Sequence, residues 1–310
     1  MSSRVDSASR KRRTGRAAFG VAALAAAMSA GVLASASADA AATVPSHFVV
    51  NGSSATVGGD TTFINNGATN GQPGDLLFVS QNWDANGVCG CVYDSSPVGV
   101  WYDSGNQKWG VFREDTGTMP AAASFSVLAV PRSSVSAFVH RATAANNLRD
   151  FTLINNPLTN NNPNAQLQVT QNWNPGGSGG VYNNHSVGVW YDRFAHEWGI
   201  FNEDRSTMVA GPSFNVLVGT ARSNGGSSTV VKASSSNILG DGVRMSSSNT
   251  DGDPNAVVLT TPNWNPGGVG GTYESAAPGV YFDGSGIDVF NEDTSTMPVG
   301  AAFNALSFSS

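Results

Sequence analysis

Gln171 to Gly219 reads QNWNPGGSGGVYNNHSVGVWYDRFAHEWGIFNEDRSTMVAGPSFNVLVG. The chain carries this block three times, with the other copies running from Gln81 to Val130 and from Asn263 to Phe308. Trp83, Trp173 and Trp264 hold one position in it, spaced 173 − 83 = 90 and 264 − 173 = 91 residues apart. Asp115, Asp204 and Asp293 hold another, with 89 residues between successive members (204 − 115, 293 − 204). A long period that repeats whole blocks marks a tandem architecture before any single element is assigned.

Upstream of each block the copies also agree. Each opens with a short apolar run: His47 to Val50, Phe138 to His140, and Thr229 to Val231. A second run follows at Thr61 to Asn65, Phe151 to Asn155 and Val243 to Ser247. Pro73, Pro163 and Pro254, amid Gly, Asn and Asp, mark turns. The strongest apolar run, Leu76 to Val79 or Leu167 to Val169, leads into the Asn-Trp pair and a glycine-rich loop. Then Val187 to Tyr191 and Glu197 to Phe201 read as a hairpin, and Phe214 to Val218 as a last strand.

No segment keeps a helical period, and β-branched or aromatic alternation dominates. The expected class is all-β: three tandem repeats, each a small β-sandwich or barrel, over 46–130, 137–219 and 228–310. A unit of roughly 85 residues closes a core of its own only marginally. The alternative is one pseudo-three-fold β body whose copies share a core, which the short linker Pro131 to Ser136 leaves open. Thr220 to Ser227 is richer in Gly and Ser.

Residues 1–42 read as a secretory signal peptide. Six basic residues between Arg4 and Arg16 precede an Ala-rich apolar run to Ala34, then small residues with A-x-A sites at Ala38–Ala42. Glycine, serine and many alanines make that run too weakly apolar for a stable membrane span. Its removal takes 6 of 16 basic and 2 of 22 acidic residues, leaving 10 − 20 = −10. That sign excludes phosphate-backbone binding as an expectation, because such affinity comes from Lys and Arg. The mature chain is expected to be secreted, with no membrane span.

The two cysteines, Cys89 and Cys91, occur in copy one alone, where copy two has Ser178 and Gly180. Export favours oxidation, and a local Cys89–Cys91 disulfide is the expected state. Such a small ring adds little stability. A C-x-C pair lacks the further ligands of a zinc site.

The string N-W-N-P-G-G … Y … G-V-W-Y-D … W-x-I-F-N-E-D … M-x-x-G-x-x-F-N-V resembles a repeated domain of unknown function from secreted bacterial proteins. The resemblance covers nearly all of 46–308 and implies a recurrent extracellular module; it carries over no catalytic residue. Copy one departs most, with Asp84-Ala85 for Asn-Pro and Arg113 for the asparagine before Glu-Asp. Copy three has Ile287 in place of the second hairpin tryptophan.

Catalytic motifs are thin. Gly176-Gly177-Ser178-Gly179-Gly180 matches G-x-S-x-G, but a nucleophile elbow needs a strand, a turn and then a helix. Here glycines lead to another strand. Asp115, Asp204 and Asp293 fit Asx turns. Calcium ligation is the alternative for them, and for Asp251 and Asp253, because hard oxygens are plentiful in these loops. Pro254 and the lack of a closing glutamate count against a calcium loop.

Aromatics remain. Trp101, Trp109, Trp190 and Trp198 on hairpin strands read as core. Trp83, Trp173 and Trp264 sit between polar residues at a glycine loop, where one ring face can stay open. Together with Asn82, Asn172, Asn263, Tyr93, Tyr182 and Tyr273 they form the candidate ligand-binding set: rings to stack on a sugar and amides to bond its hydroxyls. The expectation is a secreted, non-enzymatic protein binding a glycan or cell-surface ligand by weak contacts repeated over three copies, without a required cofactor. The rivals are a hydrolase built in copy two from His185 and His196 with Asp192 or Glu197, and a structural or inhibitory protein of the cell exterior.

Overall fold

The computed structural model describes residues 44–88, 90–219 and 226–310. Residues 1–43, where the signal peptide is expected, Cys89 and most of the second linker lie outside them. Among the described residues each copy forms seven strands. Copy one has β1 (Ser46–Asn51), β2 (Val57–Gly58), β3 (Thr61–Phe63), β4 (Leu76–Asn82), β5 (Val98–Asp103), β6 (Lys108–Arg113) and β7 (Ser124–Val130). Copy two has β8 (Ala137–Arg141), β9 (Asn147–Leu148), β10 (Phe151–Ile154), β11 (Gln166–Asn172), β12 (Val187–Asp192), β13 (Glu197–Asn202) and β14 (Ser213–Gly219). Copy three has β15 (Ser227–Lys232), β16 (Ile238–Leu239), β17 (Gly242–Arg244), β18 (Val257–Pro262), β19 (Pro278–Phe282), β20 (Ile287–Asn291) and β21 (Ala302–Phe308).

The chain is all-β, and the copies follow one plan. In copy one β1, β7 and β4 pair antiparallel, and so do β5, β6, β3 and β2. Period-two alternation sends Val100 and Tyr102 of β5 inward, where they meet Leu77, Phe125 and Trp109 between the two sheets. Equivalent cores fill copies two and three. Each copy is thus a small sandwich, and no closed barrel forms among the described residues.

The sandwiches are stitched head to tail. At its end β11 runs parallel to β5 of the copy before it, pairing Gln171 with Gly99 and Asn172 with Val100. In the same way β4 pairs with β19, and a single bridge joins Val189 to Asn263. The three tryptophans extend these seams: the N–H groups of Trp83, Trp173 and Trp264 donate to the carbonyls of Val280, Val100 and Val189, each at 2.9 Å. Copy three therefore meets copy one as copy one meets copy two, and the ring closes.

A fourth apolar cluster sits where the copies converge: Leu76, Phe78, Leu128 and Val130 from copy one, Leu217 from copy two, and Val257, Leu259, Leu306 and Phe308 from copy three. Beside it a cyclic set of hydrogen bonds links the central strands. Val79 N–H donates to Thr170 Oγ1, Val169 N–H to Thr261 Oγ1, and Thr260 N–H to Ser80 Oγ, at 2.8–3.0 Å. Both expectations thus meet in one molecule: each copy keeps its own sandwich core, and the three share a further core at the centre.

The N-W-N motif makes sense in this frame. The second asparagine clamps the preceding copy's hairpin: Asn174 Oδ1 accepts from Tyr102 N–H at 2.7 Å and its Nδ2 donates to Tyr102 O at 2.8 Å. Asn265 does the same to Tyr191. Copy one has Asp84, which accepts from Phe282 N–H but has no amide proton to return, and burial raises its carboxyl pKa. Asp84→Asn is therefore expected to stabilise the protein by about 1 kcal/mol, the worth of one recovered hydrogen bond. A raised midpoint in urea at pH 7 would show it; an unchanged or lowered midpoint would contradict it.

Candidate functional site: aromatic clefts between copies

The seams carry clefts. Between copies one and two, a cavity of about 130 Å³ is lined by Asp60, Thr61, Trp101, Phe112, Trp173 and Tyr182. Between copies two and three, one of about 180 Å³ is lined by Asp150, Phe151, Trp190, Phe201, Trp264 and Tyr273. Each takes its tryptophan and tyrosine at the loop from one copy and its hairpin rings and aspartate from the copy before.

The glycine loop sets the tryptophan. Gly176 and Gly177 turn with φ of 70° and 82°, conformations that suit glycine. A Cβ at Gly180 or Gly271 would run into the carbonyl oxygen of Trp173 or Trp264. The loop then returns the tyrosine beside the indole: Trp173–Tyr182 and Trp264–Tyr273 centroids lie 5.8 and 5.7 Å apart. Phe112 and Phe201 meet those tyrosines edge to face at 5.8 and 5.9 Å. On the opposite wall Trp101 and Trp190 lie over Gly110 and Gly199, their cross-strand partners, where any side chain would strike the indole.

Trp83, Trp173 and Trp264 are partly exposed, yet their Nε1 atoms are buried without a hydrogen-bond partner. The indole surface that they leave open is therefore carbon. Tyr93, Tyr182 and Tyr273 are 51%, 45% and 43% exposed. Polar groups enter chiefly at Asp60 and Asp150, each directly before the strand that floors its cleft. Asp60 Oδ1 accepts from Thr61 Oγ1, while the Asp150 carboxylate has no partner among the described residues.

The third junction differs. Tyr281 stands where the others have Trp101 and Trp190, and its ring lies 6.2 Å from Trp83 in a T-shaped contact. Tyr93 packs on Trp83 and Phe290 as its counterparts do. Tyr281 also donates its hydroxyl to Asp288 at 3.0 Å, tying the ring to its own hairpin.

Other candidate residues fall elsewhere. Asn82, Asn172 and Asn263 face inward: Asn82 Nδ2 bonds Ser126, Asn172 bonds Asn215, and Asn263 bonds Asn304. At 7%, 1% and 2% exposure they have no surface for a sugar hydroxyl, so the clefts take rings and aspartates but not these amides. Asp115, Asp204 and Asp293 close Asx turns, accepting from Gly117, Ser206 and Ser295 N–H at 2.8–2.9 Å. Asp253 accepts from Asn255 and Ser310 N–H. No group of three or more His, Cys, Asp or Glu among the described residues, Asp251 included, is placed to hold a metal ion. Cys91 is disulfide-bonded, and Cys89 lies outside the described residues. His185 Nδ1 pairs with Asp204 at 2.8 Å rather than with Asp192, which caps its own hairpin turn through Phe194 and Ala195 N–H.

The glutamates of the Glu-Asp pairs have a role that spacing did not reveal. Glu114, Glu203 and Glu292 are buried beneath the seams, and each accepts from a backbone N–H of the next copy: Asn183 at 3.0 Å, Glu274 at 3.2 Å and Asp94 at 3.0 Å. Gly99, Gly188 and Gly279 make the room, since a Cβ there would meet the carboxyl oxygen. Burial pushes Glu114 and Glu292 up to about 8 and Glu203 well above its ordinary value. Arg113, the odd residue of copy one, is matched by Asp94 at 3.5 Å, where copy two pairs Asn202 with Asn183.

The sequence matches a domain of unknown function, DUF7452, three times, over residues 26–129, 100–218 and 191–307. The chain belongs to this family. The second match opens at 100, inside the copy-one hairpin that pairs with β11, and the third at 191, inside the copy-two hairpin that meets β18. No curated protein and no solved structure matches the chain.

Proposed function

We propose that this is an exported, non-enzymatic binding protein that engages a carbohydrate or cell-surface ligand through the aromatic clefts between its copies. The observation that carries the reading is the pair of open clefts, each walled by two tryptophans and a tyrosine from neighbouring copies. Large partly exposed rings held rigidly by backbone seams lose little entropy on contact and suit a flat ligand face. Repetition supports binding over catalysis, because a catalytic centre needs unlike groups in unlike roles and these clefts repeat the same groups. Two weak sites on one rigid body gain by avidity when the ligand is a polymer able to span them. The N-terminal segment supports export.

Retention on a panel of insoluble glycans and whole bacterial cell walls tests the reading. Trp173→Ala or Trp264→Ala should each weaken retention several-fold with the fold intact, and the double variant should abolish it. Trp109→Ala, by contrast, removes a fully buried ring and should cost about 3–5 kcal/mol of stability. Retention that survives the double variant, or is absent on every surface, would remove the proposal.

A further inference from the structure

We infer that the group these clefts receive is an organic cation, an alkylated ammonium head such as trimethylammonium. The inference rests on the clefts being binding sites and narrows what they bind. A neutral sugar presents several hydroxyls that all need partners once desolvated. The clefts offer few: the indole nitrogens of Trp173 and Trp264 are covered, that of Trp101 is taken by Thr61 Oγ1, and the asparagines point into the core, so the first cleft has no free indole donor. What they offer is the partly exposed rings of two tryptophans and a tyrosine, backed by a buried phenylalanine, and one carboxylate. Around the first cleft stand Trp101, Trp173, Tyr182 and Phe112, with Asp60 at the edge. Ring faces carry negative quadrupole charge, and a cage of them with an acid nearby suits a cation too bulky and too methylated to hydrogen-bond.

Two further observations point the same way. The acid recurs as Asp60, Asp150 and Asp241, although the residue after it changes from Thr to Phe to Gly. Across the seam the fold uses the backbone carbonyls of these positions, which accept from Arg113, Asn202 and Asn291 N–H, and any residue could supply those; the one carboxylate bond among the cleft pair, Thr61 Oγ1 to Asp60 Oδ1, is local to its own strand. The recurring carboxylate is thus not explained by the seam. Second, the protein already places a cation on one of these rings: the Arg205 guanidinium lies 5.4 Å over Tyr273. Copy one has Thr116 at that position, so the first cleft is free of this competitor and is the stronger site for an external cation.

The experiment uses the full chain with choline as the cationic probe, and its neutral carbon isostere, in which tert-butyl replaces trimethylammonium. Tryptophan fluorescence reports occupancy. Choline should give a saturable change with an affinity about tenfold or more above that of the isostere. Asp60→Asn should lower choline affinity by about tenfold and leave the isostere unaffected, its melting curve confirming the fold. Arg205→Thr should strengthen choline binding at the second cleft. Equal binding of choline and isostere, or an unchanged affinity in Asp60→Asn, would overturn the inference. If a neutral glycan binds and is lost in Trp173→Ala while choline does not bind, the cation is wrong and the cleft is right. If neither binds, both fall.

Discussion

A chain ended at Gly219 should fail to form a stable two-copy protein. Without copy three, β4 loses the parallel seam to β19, and Trp83 N–H loses the Val280 carbonyl. Leu76, Phe78, Leu128 and Val130 lose Val257, Leu259, Leu306 and Phe308, which cover them in the central cluster. Burying one such side chain is worth about 1.5–3 kcal/mol. Losing cover from several of them amounts to much of the roughly 5–15 kcal/mol that keeps a domain folded. Residues 137–219 alone should fare no better, since both of their seams are cut. In calorimetry the full chain is expected to melt in one transition, and the fragments far lower or without a cooperative transition. A single copy melting at the temperature of the whole would show that the seams contribute nothing.

The second large effect is on pH dependence. Glu114, Glu203 and Glu292 keep their protons in the folded state up to about 8 or beyond, but release them near 4.5 when the chain unfolds. Above 4.5 the unfolded chain therefore binds fewer protons than the folded one, and stability falls as pH rises until the folded groups ionise. The window to read is pH 6.5 to 8: Asp75 titrates below it at about 6 and Tyr281, raised by burial, above it, while His140, at about 4 folded and 6.5 unfolded, opposes the fall only at the lower edge and by less than one glutamate supplies. Each glutamate contributes a slope on the order of 1 kcal/mol per pH unit. Denaturant midpoints should thus drop from pH 6.5 to 8. Replacing all three by glutamine preserves the acceptor for the next copy's N–H, so the triple variant should be flat across the window and more stable at pH 8. Midpoints that rise with pH, or a triple variant with the wild-type slope, would contradict protonated seams.

Much of the architecture was legible because repetition is a strong signal. The three copies aligned themselves, alternation marked the strands, and prolines and glycines marked the turns. Repetition could not say which copy a hairpin pairs with, because every copy offers the same partner. The β5–β11 seam has only two residue pairs, too short to leave a pattern. The binding candidates were half legible. Trp83, Trp173 and Trp264 stand out at the glycine loop, but by residue type and strand position Trp101 and Trp190 read as core along with Trp109 and Trp198. Strand period held the missing cue: Val100 and Tyr102 face inward, so Trp101 between them faces the other way, and Gly110 opposite it lets the ring lie flat. The asparagines mislead because a polar residue beside a loop usually meets water, whereas here the buried amides bond partners inside the fold, Ser126, Asn215 and Asn304. The glutamates were hidden by their neighbours, since Glu-Asp beside a turn reads as surface. Only the glycine across the hairpin betrays the buried carboxyl.

The seven indole N–H signals of the protein offer the most direct test of the clefts as ligand sites, observed by nitrogen–proton correlation NMR and assigned by Trp→Phe substitution. On titration with a retained ligand, the signals of Trp101, Trp173, Trp190 and Trp264 should move together and saturate. Those of Trp109 and Trp198, whose Nε1 groups donate to the Gln72 and Asn162 carbonyls inside the sandwiches, should stay in place. A ligand that binds while the four cleft signals stay still would contradict the account.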